Sequence, residues 1–189
     1  MKYVSGQTFG AHEKSIAEIT KGEYVQCRFE NIDFSDIVLS GYVFEDVVFQ
    51  DCNLSLNKFH KTAFKGVKFV GCKLVGLHWD HCDSFIFSVY YERCMLNMSS
   101  FYGVKLKNTR FVSTQMMELD FTDADLSYAV LDDCDLTLTT FDHTNLKNAD
   151  LRKATNFIID PEINHLKNAK FSWPSVGGLL DKYEIIIDE

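Results

Sequence analysis

The chain has 189 residues, 27 acidic against 19 basic, a formal charge of −8 and 46% hydrophobic content, which is the material of one ordinary globular domain. A net negative chain carries no broad cationic surface for phosphate backbones or anionic lipid, so direct nucleic-acid and membrane binding are both disfavoured. The start MKYVSGQTFGAHEK lacks the apolar stretch of a signal peptide, and a cytoplasmic location is expected.

Residues 1–23 lie before the strongest pattern in the chain. They include Ser15-Ile16-Ala17-Glu18-Ile19, read as part of an N-terminal cap.

From residue 24 to 155 the sequence counts in fives. Large apolar residues stand at Phe29, Phe34, Leu39, Phe44, Phe49, Leu54, Phe59, Phe64, Phe69, Leu74 and Trp79. The register slips by two residues and resumes at Ile86, Tyr91, Leu96, Phe101, Leu106, Phe111, Met116, Phe121, Leu126, Leu131, Leu136, Phe141, Leu146 and Leu151. Phe, Trp, Tyr, Ile, Leu and Met together make 59 of 189 residues, so chance would fill about eight of these 25 sites, yet every one is filled. Two residues before most centres sits a small side chain, as at Cys27, Cys52, Val67, Thr109, Ala124 and Ala149. Period five fits neither a helix nor an alternating strand. A chain that turns a corner every five residues closes into a square coil of twenty, and stacked coils pair backbone with backbone about 4.8 Å apart.

The motifs ADLSY, TNLKN and ADLRK resemble the pentapeptide-repeat consensus A(D/N)LXX. The resemblance implies the fold of that family, an all-β solenoid that winds as a right-handed quadrilateral parallel β-helix.

Cys27, Cys52, Cys72, Cys82, Cys94 and Cys134 all fall on small inward positions and read as reduced core filler. Parallel side chains on one face point the wrong way for disulfides. Adding one coil at a time stacks Leu39, Phe59, Trp79, Phe101, Phe121 and Phe141 in one column, read as core packing and not as a platform for bases. The run His78-Trp79-Asp80-His81-Cys82-Asp83 has the residue types of a transition-metal site. On a regular coil, however, His78, Asp80 and His81 leave from different parts of the outer wall while Cys82 points inward, so convergence is not expected. The bulge at Asp80–Phe85 is the one feature able to rearrange them. No metal or cofactor is expected, and no catalytic residue, because no phosphate loop, GxSxG, HExxH or enclosed carboxylate pair is present.

Charge is banded. Residues 29–57 carry six acids and no Lys or Arg, residues 58–75 carry Lys58, Lys61, Lys65, Lys68 and Lys73 without an acid, and residues 113–142 carry eight acids without Lys or Arg. Asp120, Asp125 and Asp135 precede centres, where the repeat consensus itself favours Asp or Asn. Glu118, Asp123, Asp132, Asp133 and Asp142 are not required by it.

The last segment, 156–189, is read as a C-terminal cap and dimerisation tail. Asp160-Pro161 looks like a helix start, as does Ser172-Trp173-Pro174. From there Trp173, Val176, Leu179, Leu180 and Tyr183 fall on one helical face, followed by Ile185-Ile186-Ile187. The stretch from Lys167 to Ile185 is similar to the C-terminal segment of the Qnr-like, topoisomerase-protecting pentapeptide-repeat proteins. That resemblance implies a homodimer through this tail. It further implies a non-enzymatic, DNA-mimicking protein whose partner is DNA gyrase or topoisomerase IV, with quinolone protection as a consequence; the alternative is a structural or scaffold module. The residues expected to meet the partner are Glu118, Asp120, Asp123, Asp132, Asp133 and Asp142.

Overall fold

The computed structural model describes residues 2–10, 19–35, 37–85 and 87–186. The repeat centre expected at Ile86, residues 15–18 of the N-terminal cap and Ile187 lie outside them. Ten short strands form one sheet in which every pairing is parallel. They are β1 Lys2–Ser5, β2 Thr8–Phe9, β3 Gly22–Val25, β4 Arg28–Glu30, β5 Val43–Glu45, β6 Val48–Gln50, β7 Ala63–Val70, β8 Phe87–Glu92, β9 Arg110–Val112 and β10 Val130–Asp132. Register advances twenty residues per coil, as in Thr8↔Arg28, Phe29↔Phe49 and Phe111↔Leu131. Isolated bridges extend the stack along a neighbouring wall, from Asp33↔Asn53 through Lys73↔Met95 to Asp135↔Thr155. The fold is the right-handed quadrilateral β-helix.

Every described repeat centre is buried, with Phe64, Phe111 and Leu146 all at 0% exposure. The centres stack coil upon coil. One column runs Phe9, Phe29, Phe49, Phe69, Tyr91, Phe111 with ring centroids 5.0–5.4 Å apart. The column of Phe59, Trp79, Phe101, Phe121 and Phe141 is equally internal, with Trp79 and Phe101 parallel at 5.4 Å. Burying each such ring contributes about 1.5–3 kcal/mol.

Where the small residue two places before a centre is cysteine or threonine, it has a second task. Cys52, Cys72, Cys94 and Cys134 direct their thiols at the carbonyls of Phe29, Phe49, Phe69 and Phe111, at 3.4–3.5 Å. Thr62 and Thr144 donate to Leu39 O and Phe121 O at 2.7 and 2.8 Å. Each thus supplies a donor to a buried corner carbonyl of the coil below, which an alanine would not. All six cysteines are free and buried, and burial pushes the Cys134 thiol up to about 12.

Two residues after most centres the backbone turns through the left-handed region, at Asp51, Glu118, Asp123, Asp133 and Leu138 among others, with φ of 52–58°. Gly71 holds this conformation at φ +65°, and a Cβ there would meet Asp51 Oδ1 at 2.2 Å. Inter-coil hydrogen bonds such as Asp123 N to Asp142 O, 2.8 Å, offset the steric cost of about 1–2 kcal/mol per non-glycine residue in this region.

The coils reach beyond the boundaries expected for the repeat. Within the segment expected to be a cap, β1 and β2 pair with β3 and β4, and Val4, Phe9 and Ile19 are buried. At the other end Asn145↔His165 and Asp150↔Lys170 add a further turn of coil. Asp160-Pro161 accordingly starts no helix; Asp160 Oδ1 accepts the Glu162 amide at 2.8 Å across a turn. The second expected start is present, but as short 3₁₀ segments, Trp173–Leu179 with proline in its first turn and Asp181–Tyr183. No helix among the described residues is long and apolar enough to cross a membrane.

Candidate partner-binding site

The six acids expected to meet a partner do not share one wall. Glu118, Asp120, Asp123 and Asp142 cluster around the centres Phe121 and Phe141, on the wall bridged through Ser100↔Asp120↔Thr140. Asp132 and Asp133 follow Leu131 on β10, half a coil away and therefore on the opposite wall.

Nor are the six equivalent in their surroundings. Asp120 Oδ1 accepts the Thr122 amide at 2.9 Å, the same closure that Asp125 makes to Ser127, so its position before a centre serves the turn. At the matching site Asp135, hydrogen bonds from Thr137 and Asn156 hold the carboxyl below its ordinary value. Asp132 pairs with Lys153 at 2.9 Å and opens on a depression shared with Arg110 and Arg152. Asp133 accepts from Ser113 at 2.9 Å, and Asp142 meets His143 Nδ1 at 2.6 Å. Glu118 and Asp123 alone among the six have no side-chain partner among the described residues. Both sit at left-handed corners, φ 54° and 57°, which project side chains away from the wall.

The C-terminal residues divide as well. Trp173 is 89% exposed and Tyr183 half so. Leu179 packs against the core of its own chain, and Gly178 O accepts the Ile159 amide at 2.9 Å, so this part of the tail covers the last coil. A Cβ on Gly178 would lie 2.0 Å from Phe157 O. Val176 and Leu180 are partly exposed. Lys182 ties the end of the tail down, with Nζ 2.8 Å from Asp160 Oδ1 and 2.6 Å from Glu162 Oε2, while Tyr183 OH donates to Glu162 Oε1 at 2.9 Å. Trp173, Ile185 and Ile186 stay outside, Ile186 at 91% exposure.

The expectation that His78, Asp80 and His81 diverge is overturned. A 3₁₀ turn at Trp79–His81 replaces the regular corner, and one ligand atom from each residue lies within 4.8 Å of the others. The cause is the register slip. Trp79 keeps its inward place at 1% exposure, while the two extra residues shift pairing from Lys61 N–His81 O to Phe64↔Phe87.

Residues 84–155 match the family model of the pentapeptide repeat region, and the chain as a whole has the fold of the pentapeptide-repeat proteins. Two trypsin-treated variants of QnrB1, a plasmid-mediated fluoroquinolone resistance protein, superpose with a TM-score of 0.67. They are 17% and 19% identical to this chain, covering 98% of it and 97% of their own length. No curated protein sequence matches the chain.

Proposed function

We propose that this chain is a non-enzymatic binding protein whose acidic band occupies a basic, DNA-binding surface of a type II topoisomerase, and that it works as a homodimer joined through the exposed tail. The supporting observation is the band from 113 to 142, with eight acids and no Lys or Arg, within which the Glu118 and Asp123 carboxylates lack partners among the described residues. Thirty residues make one and a half coils, about 7 Å of rod at the inter-strand spacing. Eight carboxylates in that rise, spread over opposite walls of the rod, amount to about one charge per 0.9 Å, denser than the about one charge per 1.7 Å of duplex DNA. Averaged over the whole rod the charge of −8 is several-fold more dilute, so the band is the DNA-like part. Electrostatic complementarity of this kind sets encounter rate and register on the partner. The likeness in fold to a fluoroquinolone resistance protein supports the choice of partner class.

A scaffold reading is favoured by a different observation: Asp132, Asp133 and Asp142 already have partners within the chain. A supercoiling assay separates the two readings. Purified protein is added to DNA gyrase with and without a fluoroquinolone, beside the double variant Glu118→Lys/Asp123→Lys. Mimicry requires inhibited supercoiling or relief of the drug at micromolar protein, weakened at least ten-fold in the variant. Unchanged supercoiling, drug sensitivity and DNA binding would leave the scaffold reading standing.

A further inference from the structure

We propose that His78, Asp80 and His81 form a binding site for one divalent transition-metal ion of the zinc class. His78 Nδ1 lies 3.4 Å from Asp80 Oδ1, and His81 Nε2 lies 3.5 Å from Asp80 Oδ2. Four ligands placed tetrahedrally around zinc at 2.0–2.1 Å are separated from one another by about 3.3 Å. The two contacts use different oxygens of Asp80, and one ligand atom from each of the three residues lies within 4.8 Å of the others, so side-chain rotation without movement of the backbone is what is needed to gather them around one ion. The imidazoles are stacked, centroids 5.0 Å apart and 17° from parallel, so one ring must turn for both in-plane lone pairs to meet a common ion.

A second observation points to a ligand. Asp80 Oδ1 is buried and has no hydrogen-bond partner, although its side chain as a whole is 22% exposed. The polar group recorded near it is His78 Nδ1 at 3.4 Å, too poorly placed to donate a hydrogen bond, and a cation is the group that satisfies such an oxygen most fully.

The backbone beneath is fixed. Trp79 anchors the turn in the core, its amide donates to Ser100 O at 2.9 Å, and His81 O accepts the Lys61 amide at 2.9 Å. A site preorganised in this way spends little of the binding energy on ordering the ligands. Two imidazoles and one carboxylate select a borderline ion such as Zn²⁺, Co²⁺ or Ni²⁺ over Ca²⁺ or Mg²⁺, which prefer all-oxygen shells. Three protein ligands leave one position for water or a side chain of a partner. His60 lines the same surface depression, of about 330 Å³, as His78 and His81.

The test uses the full chain stripped with a chelator and titrated with Co²⁺, followed by visible absorption, and with Zn²⁺, followed by calorimetry. The expected result is one ion per chain, the intense visible bands of four-coordinate cobalt, and an affinity lowered at least ten-fold by each of His78→Ala, Asp80→Asn and His81→Ala. His143→Ala, which removes the other surface histidine facing a carboxylate, leaves binding unchanged. Circular dichroism of the variants checks folding, which should persist because none of the three side chains is part of the core. Absence of saturable binding, equal binding by Mg²⁺, or affinity unchanged in the three variants would overturn the site and leave His78, Asp80 and His81 as surface ion pairs.

Discussion

Replacing Phe111 with alanine tests the physical basis of the tower in its middle. The ring is fully buried, parallel to Tyr91 at 5.1 Å and edge-on to Phe101 and Phe121 at 6.3 and 6.2 Å. Lost burial costs about 2–3 kcal/mol, and the broken ring pairs add about 1–2 kcal/mol. The total of about 3–5 kcal/mol matches what Phe→Ala costs where a core cannot collapse, and here the ladder bonds of Phe111 to Tyr91 and Leu131 hold the walls apart. For a chain of this size each kcal/mol moves the thermal midpoint by about 2–4 °C, so a fall of about 10 °C is expected, with a matching shift of the urea midpoint. Phe85→Ala is the internal control: the same change on a side chain 91% exposed should alter stability by less than about 0.5 kcal/mol. If Phe111→Ala cost under about 1 kcal/mol, or if the two variants lost stability equally, the assignment of inside and outside by the count of five would be wrong.

Two further predictions concern the tail. Trp173→Glu should convert a dimer to a monomer in sedimentation velocity while leaving the thermal midpoint of the dilute protein unchanged, because the indole contributes little to its own chain; a dimer that persists would place the contact elsewhere. The tether of Lys182 should respond to acid. Hydrogen bonds from Lys182 hold the Asp160 and Glu162 carboxyls below their ordinary values of 3.8 and 4.5. A lowered carboxyl pKa contributes stability that is complete above the unfolded value and lost as pH falls through the folded one, so the tether weakens below about pH 4. Amide exchange at 181–183, corrected for intrinsic rates, should accelerate on acidification in the native chain and lose that acceleration in Lys182→Met; equal acid responses in the two would refute the role of the ion pair.

The middle of the fold is legible because one side chain in five has no alternative to the interior. What escaped the count did so at the ends and at the slip. Val4, Phe9, Ile19 and Tyr24 keep the period, but Lys14 interrupts it, so the first coil reads as a cap. Leu166 and Phe171 stand twenty residues after Leu146 and Leu151, yet Phe157-Ile158-Ile159 and the Asp160-Pro161 pair obscure the rhythm. Asn164, buried, takes the small-residue role by donating to Phe141 O at 3.0 Å and accepting the Thr144 amide at 2.8 Å, which no apolar pattern announces. Convergence of His78, Asp80 and His81 was invisible for a different reason: column arithmetic assumes regular corners, and the 3₁₀ turn occurs where the corner is not regular.

The acids that serve the fold differ in position from those left for a partner. A carboxylate just before a centre closes the next turn, as Asp120, Asp125 and Asp135 do, and its charge is a by-product of local geometry. The two positions after a centre face solvent, and the left-handed corner asks only that the residue tolerate positive φ, for which Gly, Asn and Asp suffice. Glutamate at 118 has no such local motive: it lacks the short side chain that eases a left-handed residue, its carboxylate bonds to nothing among the described residues, and it stands in a column whose neighbours are Met98 and Leu138, both exposed. Asp123 stands one repeat on, at the next corner. A charge at 118 that the coil neither requires nor neutralises is the strongest mark of selection by something outside it, and it is there that a charge reversal separates binding from folding.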